Sequence, residues 1–214
     1  MVVVMKKPWM IGIGGGTGVG KTTLVWRLVD RLGDVCLVDL DSYYLDRSGI
    51  GLEERRTLNY DEPTAFDIAL LLDHLERLAA GEMVWKPRYS FESHTRLGAD
   101  SLIPASLILV EGLFAFWWEQ LRARMNLKVF VDAPADLRLF RRIRRDVMER
   151  GRSIESVLEQ YVQTVRPMHE RYVEPTRAHA DLVVVNGGSV EECVESVIGA
   201  VQAIVNPILE GHSP

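Results

Sequence analysis

Residues 15 to 22 read GGTGVGKT. Gly15 and Gly20 bracket four residues, and Lys21 and Thr22 follow, which is the phosphate-loop pattern GxxxxGK[ST]. The run leaves an apolar stretch, WMIGI at 9–13. It then enters a segment in which Leu24, Val25, Leu28, Val29 and Leu32 form one stripe at helical spacing, stopped by Gly33. A strand, a glycine-rich turn and a helix in that order bring backbone N–H groups and a helix N-terminus onto one anion. Lys21 is then expected on the terminal phosphates of ATP and the Thr22 hydroxyl on Mg²⁺. The whole stretch Gly15, Gly16, Thr17, Gly18, Val19, Gly20, Lys21, Thr22 and Thr23 is the expected phosphate cradle.

Outward from the loop, further short apolar runs alternate with helix-period segments: VCLVDLD at 35–41, SLILVEG at 106–112, LKVFVD at 127–132 and DLVVV at 181–185. That alternation predicts an α/β fold, a parallel sheet with helices on both faces in the three-layer manner of P-loop NTPases. Ile68, Leu71, Leu75 and Leu78 mark a second core-facing helix ending at Gly81. An Arg-rich helix follows FVDAP, with Leu137, Phe140, Ile143 and Val147 as its expected apolar face, and Ser153 is placed to cap the helix after it. The stretch from about 82 to 105, with Pro87 inside it, resists the alternation and reads as a hairpin outside the main sheet.

At 214 residues the chain suits a single domain spanning 1–214, carrying that hairpin and a lid at about 142–153. A composition of 47% hydrophobic and 26% charged residues is that of a globular protein, and a net charge of −5 argues against a nucleic-acid partner. The N-terminal MVVVMKKPWM lacks the pattern of a signal peptide and no apolar run is long enough to span a membrane, so a cytoplasmic location and no membrane partner are expected. Cys36 and Cys193 read as buried, reduced thiols.

A P-loop alone does not name the group that receives the phosphate; kinases, GTPase switches and motors share it. The GTPase base-reading signature, Asn or Thr followed by Lys, one residue and Asp, is absent. Asp41 lies just past the second strand, where ligands of open parallel sheets bind, and a carboxylate there can accept a hydroxyl proton during phosphoryl transfer. Glu111, at the tip of SLILVEG, is expected with Thr22 at the metal. In YSFESH, residues 89–94, Tyr89 and Phe91 would point the same way along a strand and offer a wall to a flat heterocycle, with His94 beside it. His74, His169, His179 and His212 read as structural.

Taken together, GGTGVGKTT, LDSYY, NYDEPTAFD, RYSFESHTR, VEGLFAF, RRIRRDVMERGRS and EQYVQTVRPMHERYVEPTRAHAD resemble the uridine-cytidine kinases, in the family's order from about residue 9 to 186. The resemblance implies transfer of the ATP γ-phosphoryl group to the 5′-hydroxyl of uridine and cytidine, giving UMP and CMP in pyrimidine salvage. It implies Asp41 as base, Lys21, Arg145 and Arg150 as catalytic cations, and Tyr44, Tyr60, Leu113 and Arg142 in the substrate site. Asp61 would bind ribose hydroxyls, Tyr89, Phe91 and His94 the pyrimidine, Arg152 the nucleoside and Gln160 the base. A homotetramer and feedback binding of UTP or CTP are further implications. The chain departs from the family where VYDF is expected and RYSF stands; Arg88 and Ser90 should point away from the rings. Kinases of the phosphoribulokinase or pantothenate kinase type are the nearest alternative, and a non-catalytic nucleotide-binding regulator is another.

Overall fold

The computed structural model describes residues 7–209; His212 and the first six residues, and with them the reading of the N-terminus, lie outside it. Five strands, β1 (Trp9–Gly14), β2 (Val35–Asp39), β5 (Leu107–Glu111), β6 (Leu127–Asp132) and β7 (Leu182–Val185), form a parallel sheet in the order β2-β5-β1-β6-β7. The remaining two, β3 (Val84–Ser90) and β4 (Thr95–Leu102), pair antiparallel in a separate hairpin. The α/β expectation therefore holds.

Side chains alternate along each parallel strand, so every strand feeds two cores. Met10, Cys36, Val38, Ile108, Val110 and Phe130 face one side, where Leu71, Leu75 and Leu78 of α3 (Ile68–Ala79) cover them; α2 (Leu52–Thr57) precedes it. Ile11, Ile13, Leu107, Leu109, Val129 and Val131 face the other, under Leu24, Val25 and Leu28 of α1 (Lys21–Leu32) and Val194, Val197 and Val201 of the C-terminal helix (Val190–Leu209). Each fully buried leucine contributes about 1.5–3 kcal/mol relative to exposure. Cys36 and Cys193 are free and buried in the two cores, as expected, and burial pushes the Cys36 thiol up to about 11.

The second strand stops two residues sooner than the apolar run suggested. Asp39 accepts from the Ser42 N–H at 2.9 Å and its hydroxyl at 2.6 Å, and this cap turns Leu40–Tyr43 into a 3₁₀ turn that carries Asp41. The hairpin is pinned to that turn and to α3: Lys86 pairs with Asp39, and Arg96 donates to the Tyr44 carbonyl and the Asp67 carboxylate, both at 3.1 Å. After α4 (Glu119–Arg122) and β6, α5 (Ala135–Met148) departs from its expected amphipathicity. Phe140 is 62% exposed, while Arg142 and Asp146 are buried. This helix leans its charged face onto the cleft instead of its apolar face onto a core.

Ser153 caps α6 (Ile154–Gln160), accepting from the Ser156 N–H at 3.2 Å. The helix continues through two wide π turns, Tyr161–Val165 and His169–Val173, on either side of Arg166–Met168. Pro167 lies between them and lacks the N–H that a regular α-helical ladder would use.

Candidate active site

β1, β2 and β5 are neighbours, and Ile13 and Asp39 both lie in register with Glu111. Their carboxyl ends therefore deliver the phosphate loop, Asp41 and Glu111 to one cleft, which runs on to the hairpin and is roofed by α5 and α6. Gly20, the N-cap of α1, sits at φ 92°, ψ 23°, and a Cβ there would lie 2.5 Å from the Asn186 amide nitrogen. Glycine alone fits. With no capping side chain and no acid in its first turn, α1 leaves its N-terminal dipole free for an anion.

Lys21 donates to the carbonyls of Gly15 at 2.9 Å and Gly16 at 3.0 Å, holding the loop's shape. Burial holds its ammonium below the usual lysine range, against the pull of Glu111 and Asp41. Thr17, Gly18, Gly20, Thr22 and Thr23 line the cleft; Val19 belongs to the core. Beneath Gly16, Arg138 and His169 meet at 3.0 Å, and burial together with that guanidinium lowers the imidazole to about 4. His169, read from sequence as structural, is thus a neutral brace under the loop.

The Thr22 hydroxyl donates to Glu111 at 3.2 Å. Burial raises the Glu111 carboxyl to about 7. A hydroxyl and a carboxylate are the hard oxygen donors that Mg²⁺ selects, and among the described residues no group of three or more His, Cys, Asp or Glu could form a closed cage. Such a site fits an ion that keeps water and phosphate oxygens in its shell. Asp41 lines the same cleft and is exposed to it, with protein groups packed closely around its carboxylate. Desolvation there and the neighbouring Asp39 raise its carboxyl, opposed by Lys21, Arg150 and Arg145.

At the far end, Tyr44 is the hub of an aromatic box, with ring centroids 5.9 Å from Tyr60, 5.0 Å from Tyr89 and 6.0 Å from Phe91. The strand ends at Ser90, however, so Phe91 lies in the Phe91–His94 turn and not on a strand face. Tyr89 and Phe91 meet edge to face at 83°, centroids 5.5 Å apart, so they form a corner and not one wall. His94 takes φ 53°, rare for a side-chain-bearing residue, and stacks on Tyr60 at 4.3 Å and 12°. The Tyr89 hydroxyl and His94 Nδ1 are buried without a hydrogen-bond partner. Burial and the charges of Arg55, Arg56 and Arg152 lower the His94 pKa, which keeps the ring neutral, one donor and one acceptor. Aromatic faces with buried polar atoms between them are what this geometry offers.

Arg88 points outward, 3.8 Å from Asp100, beside a register shift between Pro87 and Tyr89. Ser90 does not follow it. Its hydroxyl accepts from the Ser93 N–H at 3.2 Å and it borders the cleft, so the expectation for this residue is corrected. Leu113 lines the cleft between the two ends.

Arg142, Arg145, Arg150 and Arg152 roof the site. Arg150 also lies over the Phe91 ring, 4.5 Å from its centroid. Gln160, expected to face a base, has both ends of its amide engaged within the protein: Oε1 accepts from Arg142 at 2.9 Å and Arg152 at 2.6 Å, and Nε2 donates to Asp61 at 3.2 Å. Sequence reasoning missed Thr164, which donates to the same Asp61 oxygen at 3.0 Å, and Asp146, the fully buried acid among the arginines. The lone acid inside RRIRRDVM was the available signal for the second.

Residues 10–192 match the model of the Phosphoribulokinase / Uridine kinase family. The uridine kinase of Deinococcus deserti is 43% identical over 202 residues, 93% of this chain and 98% of that protein, and that of Chloroflexus aurantiacus is 45% identical over 199 residues, 92% and 95%. The phosphoribulokinase of Rhodobacter spheroides shares the fold, with a TM-score of 0.58 at 16% identity over 86% of this chain and 72% of that one. With the phosphate loop, the parallel sheet and these matches in agreement, the chain belongs to the phosphoribulokinase/uridine kinase family of P-loop kinases.

Proposed function

We propose that the protein is a nucleoside kinase that transfers the γ-phosphoryl group of ATP to the 5′-hydroxyl of uridine and cytidine, giving UMP and CMP. The observation that carries this reading is the aromatic box of Tyr44, Tyr60, Tyr89 and Phe91 at the end of the phosphate-loop cleft, with His94 stacked on Tyr60 and its Nδ1 buried without a hydrogen-bond partner. The uridine kinases of Deinococcus deserti and Chloroflexus aurantiacus, alike to this chain over nearly their whole length, support it.

In this reading Asp61 offers the carboxylate oxygen not taken by Gln160 and Thr164 to a ribose hydroxyl. A site built to bond that hydroxyl discriminates against deoxynucleosides. Asp41 takes the proton of the 5′-hydroxyl as its oxygen bonds to the γ-phosphorus and the bond to the β-phosphate oxygen breaks, releasing ADP. Lys21 and the roof arginines stabilise charge on the transferring group. Thr22 and Glu111 would hold Mg²⁺, which neutralises phosphate charge when bound. His94 can donate to a uracil carbonyl or, as the other tautomer, accept from a cytosine amino group, hence both substrates. A role in cytoplasmic pyrimidine salvage, a homotetramer and feedback binding of UTP or CTP follow from the family resemblance.

The test is turnover with ATP and Mg²⁺ on uridine, cytidine, deoxycytidine and ribulose 5-phosphate in parallel. Activity on the two ribonucleosides alone is expected. Cytidine alone would remove the His94 argument, and ribulose 5-phosphate alone would replace the acceptor.

A further inference from the structure

α5 and the residues just after it bring four guanidiniums around one carboxylate. Asp146 is 0% exposed; Arg145 donates to its Oδ1 through Nε at 2.9 Å and lies 2.8 Å away through Nη2. Arg142 and Arg152 stand 3.6 Å from Oδ2, and Arg150 stands 3.7 Å from Oδ1. Four like charges on one short stretch repel, and without a counter-ion their long side chains would spread into solvent. Asp146 gathers them while leaving a net positive roof over the cleft. Its Oδ2 and the Arg142 Nε facing it, 3.6 Å apart, are both buried without a hydrogen-bond partner, so a small inward movement of Arg142 would complete a bond between them.

The cluster also has a wire to the other end of the cleft. Arg142 donates to the Thr17 hydroxyl of the phosphate loop at 3.3 Å and, with Arg152, to Gln160, whose amide nitrogen holds Asp61. The arginines fix which end of the Gln160 amide faces them, since guanidinium only donates and Asp61 only accepts. We propose that Asp146 is a positioning residue that preassembles the four roof arginines, and that Gln160 links this assembly to Asp61, so that acceptor and donor sites are organised as one unit.

This rests on the kinase reading, which wild-type turnover checks separately: no turnover on any nucleoside sinks that reading and takes this inference with it. In an active enzyme, Asp146→Asn should lower kcat about tenfold or more, because misplaced arginines stabilise the transferring group less. The KM for ATP should stay level or fall, because removing a negative charge makes the roof more attractive to ground-state phosphates. A residue of merely structural importance would instead raise KM or leave both unchanged. Asp146→Glu, which restores the charge on a longer stem, should recover part of kcat. Turnover of Asp146→Asn within twofold of wild type overturns the proposal. Should that variant not fold, Gln160→Ala decides. Binding of a non-transferring ATP analogue, measured with and without uridine, should be coupled in wild type and uncoupled in Gln160→Ala with analogue affinity alone retained; preserved coupling overturns the link.

Discussion

At the donor end of the cleft, the chain from Gly15 to Thr22 offers chiefly backbone, all from one short loop anchored between β1 and α1. At the acceptor end, Tyr44, Tyr60, Asp61, Tyr89, Phe91 and His94 offer side chains from three separate segments, half of them on a two-stranded hairpin outside the main sheet. A backbone cradle reads only charge and shape, which every nucleoside triphosphate shares. Specificity for an acceptor needs side chains, and here they ride on an element outside the main sheet, tied to the rest of the protein through side-chain contacts that include Lys86 to Asp39, Arg55 to the Ser93 carbonyl, and Arg96 to Asp67 and Tyr44.

The sharpest break lies between the two ends. Asp41→Asn should reduce kcat by about 10²–10⁴-fold while uridine affinity, by calorimetry, changes less than about threefold. Equal losses in both would move Asp41 into acceptor binding. Next, the donor end buries two groups whose proton linkages oppose each other. Folded Glu111 keeps its proton to about 7 against 4.5 unfolded, so its contribution is fully present below pH 4.5 and is lost as pH rises through 7, on the order of 3 kcal/mol in all. His169, lowered from 6.5 to about 4, contributes stability above 6.5 that is lost as pH falls through 4. Urea midpoints in EDTA should therefore vary little for wild type across pH 4.5–6.5, fall with rising pH in His169→Gln and fall with decreasing pH in Glu111→Gln. Identical profiles for all three would show that neither group is desolvated.

Loosening the hairpin comes next. Arg96→Met removes the two guanidinium bonds to Tyr44 and Asp67, leaving the Lys86–Asp39 pair, and should raise the uridine KM roughly tenfold with the ATP KM unchanged; a matching rise for ATP would show that the two ends are not separately anchored. Smallest of all, Arg88→Ala removes an exposed ion pair with Asp100 and should cost less than about 0.5 kcal/mol, with both KM values unchanged. A larger KM effect would mean that the departure from VYDF does reach the pocket.

This contrast also governs how far the sequence could be read. Strand, loop and helix around GGTGVGKT are local, and glycines at fixed spacing are demanded by backbone geometry, so the fold and the phosphate end were legible. Apolar alternation located all five strands of the sheet, although only the Asp39 cap, a side-chain contact, could place the end of β2. The face of α5 was misread because periodicity identifies a stripe without saying what it covers; Phe140 stays exposed while Arg142 and Asp146 turn inward. Phe91 was placed on a strand because the register shift after Pro87 and the Phe91–His94 turn leave no sign in the alternation. Thr164 acquires its place only through Asp61, a hundred residues away in the chain, and spacing cannot supply that.

The two wide turns after α6 set a rule of length for this helix. Gln160 and Thr164, four apart, both reach Asp61, whereas His169, five further on, reaches the loop beneath Gly16. Each π turn takes one residue more than an α turn, so the phase of His169 relative to Gln160 and Thr164 depends on the number of residues in Tyr161–Val165. The segment works as a phase adjuster, and its residue count matters more than its composition. Exchanging exposed Val162 or Gln163 leaves that phase untouched, while deleting a single residue between 165 and 168 would keep a helix yet rotate everything beyond it, withdrawing the brace from the loop and Val173 from the core.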